Sequence, residues 1–366
     1  MVTENNQTMA EREFQFPQYE APAWLRNGHL MTIVPSLLSR RFAPAITNAE
    51  ERQFEVEPGN RVMARCSWQG ERDRAACTTL VIVHGLEGSA DARYVQGIAH
   101  KAFALGLNVV RLNLRNCGDT LHLSKTLYHA GMSADVIAVM RELQAVDGLQ
   151  SFALVGFSLG GNIVMKAAAE LSRAPHQEHR RHQAGGPQPL HQSDRVPLHA
   201  VVGISPSLDL HECVRAIQKP ENRIYEQYFV QALKAKIQRK ARLQPGLFDL
   251  SKLQKVTGLL EFDDTFTAVH GGFGSAANYY ATQSALQYVG QIAVPALVIA
   301  SRDDPMVPFS IFEHAAFDNE HVQLLSPQHG GHAGFLSRER EDDSFFDKHW
   351  AENRAVQFCR LWSHRQ

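Results

Sequence analysis

Short apolar runs alternate with amphipathic segments along most of the chain. The runs TTLVIVHG, NVVRLNLR and SFALVGFS, which begin at Thr78, Asn108 and Ser151, have the length and composition of buried strands. Segments with helical periodicity separate them at residues 90–105 and 133–146. Strands that alternate with helices in this way predict parallel βαβ units with right-handed crossovers. The pattern therefore predicts an α/β protein with a mostly parallel central sheet and helices on both faces.

A β-hairpin is predicted ahead of this repeat. Phe54 and Val56 alternate with charged residues, and the sequence Pro-Gly-Asn at 58–60 supplies a turn before a second alternating stretch at 62–68. After the repeat, the small-residue segment 160–171 predicts a helix, and the apolar run HAVVGIS that follows it predicts another strand.

The segment from residue 210 to residue 286 breaks the alternation, because it is long and mostly helical in pattern. We predict that it lies above the sheet as an insertion. Strands resume at Val294 and His321, and a last helix is predicted to begin near Asp343. The predicted organisation is an N-terminal extension over 1–50 that packs on the core, an α/β core over 51–209 and 291–366, and a helical cap insertion over 210–290.

Composition narrows the class of protein. The 366 residues are 44% hydrophobic, and 37 basic residues against 38 acidic residues leave a formal charge of −1. This balance argues against a nucleic-acid-binding protein, which needs a concentrated basic surface. The polar start MVTENNQTMAEREF has no apolar signal region, and no apolar run is long enough to span a bilayer. We therefore expect a soluble cytoplasmic protein with no transmembrane segment, and peripheral membrane contact stays open.

Cysteine and histidine spacing gives no metal motif. Five widely spaced cysteines without a C-x-x-C pair predict reduced, structural thiols; they are Cys66, Cys77, Cys117, Cys213 and Cys359. The segment 174–197 is rich in histidine, proline and glycine and has no periodicity. We predict an exposed loop there, with a metal-binding histidine tract as the alternative. No metal and no cofactor are expected.

The motif LVGFSLGGN places Ser158 between Gly156 and Gly160 at the spacing G-x-S-x-G. An apolar strand precedes it and a helix-compatible segment follows, which is the context of a nucleophile elbow. The two glycines allow a tight turn that presents the serine above the sheet edge. The alternative is an ordinary glycine-rich turn with an incidental serine, which this context disfavours. Ser158 is therefore the candidate nucleophile.

A serine nucleophile needs a histidine base and an acid, which follow it in the order Ser, Asp or Glu, His in this architecture. The predicted strand at 294–301 ends in SRDDPMVP, and the next one leads to QHGGHAGF. We favour Asp304 over Asp303 for its D-x-x-V-P spacing, with Asp303 capping a turn. We favour His332 over His329, because glycines precede it and Ala-Gly-Phe follows.

An oxyanion hole needs two backbone N–H groups directed at the developing negative charge. Leu159, the residue after the nucleophile, supplies one of them. The loop HGLEGS after the first buried strand supplies the other, through Leu86. Cys117 is an alternative candidate for a reactive thiol, but no motif places a histidine for it, so we expect it to pack beside the floor of the site.

These motifs resemble those of the α/β-hydrolase superfamily and, more narrowly, of the YheT-like hydrolases, which are similar to eukaryotic abhydrolase-domain acyl hydrolases. The resemblance extends from about Pro22 to the C-terminal helix. It rests on the blocks WLRNGHLMT, HGLEGS, RLNLRNCGD, GFSLGGN, EFDDTFTAVHGGFGSAANYY, SRDDPMVP and QHGGHAGF.

The resemblance implies an α/β-hydrolase fold, a Ser158–Asp304–His332 triad and esterase-like or lipase-like activity on acyl esters. The leading hypothesis is a serine hydrolase that forms an acyl-enzyme and acts on short-to-medium-chain esters. One alternative is an acyltransferase that uses an alcohol acceptor, although the H-x-x-x-x-D spacing linked to acyl transfer in some relatives does not occur here. A non-catalytic binding protein would lack a triad member, and all three are present.

The predicted insertion also carries aromatic residues that either form its own small core or line an acyl pocket. If they line a pocket, medium-chain esters should be better substrates than acetates. The residues are Tyr225, Tyr228, Phe229, Phe262, Phe266, Tyr279 and Tyr280.

Overall fold

An eight-stranded sheet forms the centre of the structure, a computed structural model that describes residues 16–70, 74–183, 196–341 and 345–363, with the backbone alone for 174–183. The strands are β1 (Glu50–Glu57), β2 (Asn60–Ser67), β3 (Thr79–Val83), β4 (Asn108–Asn113), β5 (Phe152–Phe157), β6 (Leu198–Ile204), β7 (Ala296–Ile299) and β8 (Val322–Leu325). Their order across the sheet is β1-β2-β4-β3-β5-β6-β7-β8. Strand β2 is antiparallel to both neighbours, and the strands from β4 to β8 are parallel.

Helices cover both faces of this sheet. They are α1 (Gly28–Leu37), α2 (Pro44–Thr47), α3 (Arg93–Ala104), α4 (Ser133–Asp147), α5 (Leu159–Gln183), α6 (Leu210–Ile217), α7 (Arg223–Leu243), α8 (Leu250–Lys255), α9 (Leu259–Phe262), α10 (Ala268–His270), α11 (Ala276–Gln283), α12 (Leu286–Val289) and α13 (Trp350–Ser363). Helices α3 and α13 pack on one face, while α4 and α5 pack on the other. Successive residues of β3 follow this division, since Val81 and Val83 join one core and Leu80 and Ile82 the other.

The α/β-hydrolase fold class is confirmed, with its mostly parallel sheet and leading hairpin. Two local predictions were wrong. Helix α5 continues to Gln183 through the first part of the segment predicted as a loop, where Glu, Gln and Arg are good helix formers despite the lack of apolar periodicity. The rest of that segment, 184–195, lies outside the described residues.

The last helix begins at Trp350 rather than near Asp343, which itself lies outside the described residues. His349 pairs with Leu336 in an isolated antiparallel bridge, and Ser337 N donates to Lys348 O at 2.7 Å. This extended pairing delays the helix, because residues in a bridge do not adopt helical dihedral angles.

The segment between β6 and β7, residues 205–295, contains helices α6 to α12 and adds no strand to the sheet; all of it is described. At the N-terminal end of the described chain, residues 16–49 lie against the C-terminal part. Tyr19 OH donates to Leu336 O at 3.1 Å, and Trp350 Nε1 donates to Pro17 O at 3.1 Å. Within the described ranges, no helix is both long enough and apolar enough to cross a membrane.

Candidate active site

Ser158 occupies a strained turn between β5 and α5, with a φ of 51° in the left-handed region. Glycines make the turn feasible. A Cβ atom on Gly156 would lie 2.2 Å from Gly160 O, and one on Gly160 would lie 2.4 Å from His84 O. Ser158 N donates to Ile204 O at 2.9 Å, which ties the turn to the end of β6. A larger residue at either glycine would therefore displace the serine.

The hydroxyl of Ser158 lies 3.4 Å from the hydroxyl of Ser207, a residue just after β6 that sequence reasoning missed. Among the described residues, Ser158 makes no hydrogen bond to His332, but both side chains line the same cavity. Catalytic hydrogen bonds are often long in ligand-free enzymes and shorten when substrate binds. The structure thus brings the serine and the histidine to one cavity without closing the contact between them.

His332 is paired with Asp304 on two loops that follow β8 and β7. The Nδ1 atom of His332 lies 2.9 Å from Oδ2 of Asp304 and 3.2 Å from Oδ1. Met306 N and Val307 N donate to Asp304 Oδ1 at 2.8 and 2.9 Å, which fixes the carboxylate. The aspartate side chain is 2% exposed and that of the histidine 11%. This burial protects the contact between Asp304 and His332 from competing water.

Helix α1 holds the loop that carries His332. Its Thr32 hydroxyl accepts a hydrogen bond from His332 N at 2.8 Å and donates one to Gly28 O at 2.6 Å. The packing is close, since a Cβ atom on Gly334 would lie 1.9 Å from Met31 O. Sequence reasoning had singled out the block WLRNGHLMT without giving Thr32 a role. A contact across 300 positions leaves no local signal in the sequence.

The alternative acid and histidine form a second pair beside the first. His329 Nδ1 lies 3.3 Å from Asp303 Oδ2, and Asp303 Oδ1 accepts from Gly330 N and Gly331 N, both at 2.9 Å. Neither Asp303 nor His329 is among the residues that line the cavity of Ser158. Their hydrogen bonds instead brace the loop before His332.

Two residues that line the cavity have backbone N–H groups without an acceptor in the described structure. They are Leu86 and Leu159. Neither N–H donates a hydrogen bond to any group that the structure describes. Unpaired N–H groups beside a candidate nucleophile are what an oxyanion hole provides.

The loop carrying Leu86 is fixed from below by His84, which is fully buried. Burial lowers the pKa of His84 to about 4, so the imidazole is neutral near pH 7. Leu114 N donates to Nε2 at 3.1 Å, which leaves Nδ1 to donate to Gly85 O at 2.7 Å. The neutral tautomer therefore joins this loop to the end of β4.

A buried ion pair fixes the same loop from above. Lys236 of α7 donates to Glu87 Oε1 at 2.6 Å and lies 4.5 Å from the centre of the Tyr128 ring. Tyr128 OH donates to the same carboxylate at 2.7 Å and accepts from Glu87 N at 3.0 Å. Cys117 lies 3.2 Å from the lysine, and burial raises the pKa of its thiol to about 11. This supports a packing role for Cys117.

The cavity beside Ser158 is narrow and mostly apolar. The cavity volume is about 70 Å³. Its lining is formed by Leu86, Tyr128, His129, Ser158, Leu159, Ser207, Leu210, Cys213, Val214, Ile217, Phe229, Leu233, Leu259, Asp263, Thr267, Tyr279, Tyr280, Met306, Val307 and His332. Most of these side chains come from the segment between β6 and β7.

The aromatic residues of that segment divide between the two predicted roles. Three of the seven line the cavity: Phe229, Tyr279 and Tyr280. Phe262 and Phe266 are buried against each other with ring centres 5.4 Å apart, as in a small core. Tyr225 stacks on His29 of α1, and Tyr228 is 67% exposed.

One carboxyl group also lies in the cavity wall. Asp263 begins the π-helical turn Asp263–Thr267 and accepts a hydrogen bond from Tyr280 OH at 2.7 Å. Burial raises the pKa of Asp263 to about 6. Sequence reasoning noticed its block only through the resemblance.

The described part of the chain contains neither a cluster of candidate metal ligands nor a disulfide bond. No group of three or more His, Cys, Asp or Glu side chains is arranged there to hold a metal ion. The five cysteines, all within the described ranges, form no disulfide, and all except Cys77 are buried.

The chain is similar to several known proteins. The α/β-hydrolase fold family matches residues 78–177. YheT of Escherichia coli (strain K12), an esterase-type protein by name, is 30% identical over 85% of this chain and 84% of its own length. Mouse phospholipase ABHD3 is 23% identical over 72% of this chain and 60% of its own length. The monoacylglycerol lipase of Saccharomyces cerevisiae is also 23% identical, over 70% of this chain and 54% of its own length.

A solved structure of the Pyrococcus furiosus esterase Pf2001 aligns with 89% of this chain and 95% of its own, with a TM-score of 0.53. At 15% identity this alignment shows the shared fold alone. Together with the sheet order and the identity to YheT over most of both chains, the comparisons place the protein: it belongs to the α/β-hydrolase superfamily and, within it, to the YheT-type hydrolases, whose relatives include esterases and lipases.

Proposed function

We propose that the protein is a serine hydrolase that cleaves carboxylic acyl esters through an acyl-enzyme. One observation carries the proposal. A serine on a strained elbow, the histidine of a buried Asp–His pair and two residues whose N–H groups lack an acceptor all line one mostly apolar cavity. The residues in these roles are Ser158, Asp304, His332, Leu86 and Leu159.

In the first half of the reaction, Nε2 of His332 takes the proton of the Ser158 hydroxyl as its oxygen attacks the ester carbonyl carbon. Nε2 is the free ring nitrogen, because Nδ1 faces Asp304. Asp304 holds this tautomer and stabilises the imidazolium. The Leu86 and Leu159 N–H groups bind the oxyanion. His332 then protonates the leaving alcohol, and the acyl group remains on Ser158.

In the second half, a water molecule gives a proton to His332 and attacks the acyl carbon. The second tetrahedral intermediate uses the same two N–H groups. Its collapse breaks the bond to Ser158, returns the proton from His332 to the serine and releases the carboxylic acid. These reaction steps need no cofactor.

The cavity wall supports an acyl chain as the group that enters beside the serine. The lining is dominated by aliphatic and aromatic carbon, and most of it comes from the segment between β6 and β7. We therefore propose that residues 210–290 act as a cap that shapes the acyl pocket. Because the space is narrow, short-to-medium unbranched chains fit the proposal best.

The test is hydrolysis of a p-nitrophenyl ester series from acetate upward. Ser158→Ala is expected to lower kcat/KM by at least about a thousandfold, because the nucleophile is lost. Ser207→Ala is the matched control: it removes the neighbouring hydroxyl and should stay within about tenfold of the parent. A fluorophosphonate probe should label the parent protein on Ser158.

The same series tests the pocket. Each added methylene is worth about 0.8 kcal/mol, so kcat/KM should rise by up to about fourfold per methylene until the cavity is full. Full activity or persistent labelling in Ser158→Ala would overturn the assignment of Ser158 as the nucleophile. A flat series, or a preference for acetate, would contradict the acyl pocket while leaving the nucleophile in place.

A further inference from the structure

Large apolar side chains are exposed on the short helical turn Ala23–Leu25, on helix α1 and on the first turns of α7. Their exposed fractions run from 36% to 69%. We call this set the apolar rim, and it consists of Trp24, Leu30, Ile33, Leu37, Ile224 and Tyr228. Three of them follow one another on α1 at spacings of three and four, so they share one face of the helix. The water-facing side of a surface helix is ordinarily polar.

The opposite side of α1 is already occupied. It buries Met31 and Pro35 against the core. The outward apolar face is therefore additional to the surface that anchors the helix. Leu30, Ile33 and Leu37 on this face remain 46%, 36% and 69% exposed in the described structure.

Helices α1 and α7 meet next to this face. His29 Nδ1 lies 3.1 Å from Tyr225 OH, and the two rings stack with centres 5.8 Å apart. Leu30 and Ile224 are each one residue away from this contact. Ile224 and Tyr228 are four positions apart and share a face of α7. The exposed apolar residues of the two helices thus lie on neighbouring surface.

Within the two segments that carry the apolar rim, the exposed charges are mainly positive. Residues 21–49 contain three arginines and no aspartate or glutamate, and two of those arginines, Arg26 and Arg41, are exposed. On the α7 side, Lys219 and Arg223 are exposed beside one exposed acid, Glu221. Apolar side chains interleaved with cations match the boundary of a bilayer that contains anionic lipids.

This charge pattern favours a bilayer over a second copy of the chain. A two-fold dimer through the apolar rim would place the same arginines of both copies in one interface. An anionic lipid surface would attract each of them, at about 1 kcal/mol per residue near the surface.

The apolar rim also adjoins the candidate active site. Thr32, on the same helix as Leu30 and Ile33, binds the backbone of His332. Phe229, the residue after Tyr228, lines the cavity. We propose that the apolar rim docks the protein on an anionic lipid bilayer, with the cavity beside the docked surface. The docking goes beyond the proposed ester hydrolysis and does not depend on it.

The experiment is co-flotation of the full-length protein with vesicles of phosphatidylcholine, with and without phosphatidylglycerol. The parent should float with the anionic vesicles, and added salt should weaken the binding. Trp24→Ser combined with Leu37→Ser should lower the bound fraction at least about tenfold. Arg26→Gln combined with Arg41→Gln should weaken binding to the anionic vesicles alone.

Val146→Ser is the matched control, because Val146 is 72% exposed on the distant helix α4. It should bind like the parent, and all these variants should keep their hydrolysis of a water-soluble short ester. Ser158→Ala should also bind like the parent, so a failure of the proposed catalysis would be seen separately. Equal flotation of the Trp24 and Leu37 variant, or no flotation of the parent, would overturn the proposal. A parent dimer that this variant converts to a monomer, by light scattering, would show that the apolar rim pairs two copies instead.

Discussion

Two aspartate–histidine pairs lie on the same two loops, and they differ in what surrounds them. In the first, Asp304 and His332 approach to 2.9 Å with side chains 2% and 11% exposed. In the second, Asp303 and His329 approach to 3.3 Å with side chains 21% and 39% exposed. His332 lines the cavity of the candidate nucleophile, whereas His329 does not. Residue type therefore does not distinguish the pairs; burial and direction do.

The backbone partners explain the difference. Asp304 uses Oδ1 for two N–H groups of its own turn, which leaves Oδ2 for His332. Asp303, one position earlier, points to the other loop and uses Oδ1 for Gly330 N and Gly331 N. Adjacent carboxylates thus take up two tasks, one directed at the proposed base and one at the loop that carries it.

The largest expected effect separates the two aspartates by activity. Asp304→Asn should lower kcat by about three to four orders of magnitude, because an amide cannot hold the imidazole in the required tautomer. Asp303→Asn keeps an oxygen acceptor for the two glycine N–H groups and should change kcat by less than about threefold. Steady-state hydrolysis of one ester by both variants is the measurement. If Asp303→Asn were the damaging change, the two roles would have to be exchanged.

The next effect is a difference in unfolding free energy between two variants of Asp303, Asp303→Ala and Asp303→Asn. Asp303→Ala leaves the buried N–H groups of Gly330 and Gly331 without their acceptor and should cost about 2–3 kcal/mol of unfolding free energy. Asp303→Asn should cost much less. Urea denaturation of both variants measures this. Equal stabilities would show that the loop does not depend on these hydrogen bonds.

A third histidine sharpens the comparison, because His84 is buried without an acid partner. Its pKa is about 4 in the folded protein against 6.5 for an unperturbed histidine. The unfolded chain therefore binds this proton first as pH falls. The free energy of unfolding that depends on a neutral His84 is therefore fully present above about pH 6.5, and it is lost progressively as the pH falls toward about 4.

Between about pH 6.5 and about pH 5, this histidine should remove about 2 kcal/mol of unfolding free energy. Denaturation curves across that range measure the loss, and His84→Gln should show a flatter dependence than the parent. The same pH slope in both proteins would assign the acid sensitivity to other groups.

Much of the architecture could be read from local pattern. Apart from the start of β1, which lies four residues before the predicted alternation at Phe54, period-two and apolar runs place the strands to within one or two residues of their observed bounds, because a strand's side chains alternate wherever it lies in the sheet. The elbow motif is equally local, since Gly156, Ser158 and Gly160 lie within five positions and a Cβ atom on Gly156 would meet Gly160 O. Where pattern failed, as at the start of α13, a distant partner held the backbone extended.

The sequence by itself determined the fold class, the nucleophile candidate and the two loops that carry acid and histidine, since each rests on residues close together in the chain. Only the tertiary structure decided which aspartate faces His332, that Thr32 holds its loop and that Ser207 neighbours Ser158. It also divided the aromatic residues between cavity, core and surface. These outcomes depend on contacts between segments far apart in the chain, and their geometry arises only when the core packs.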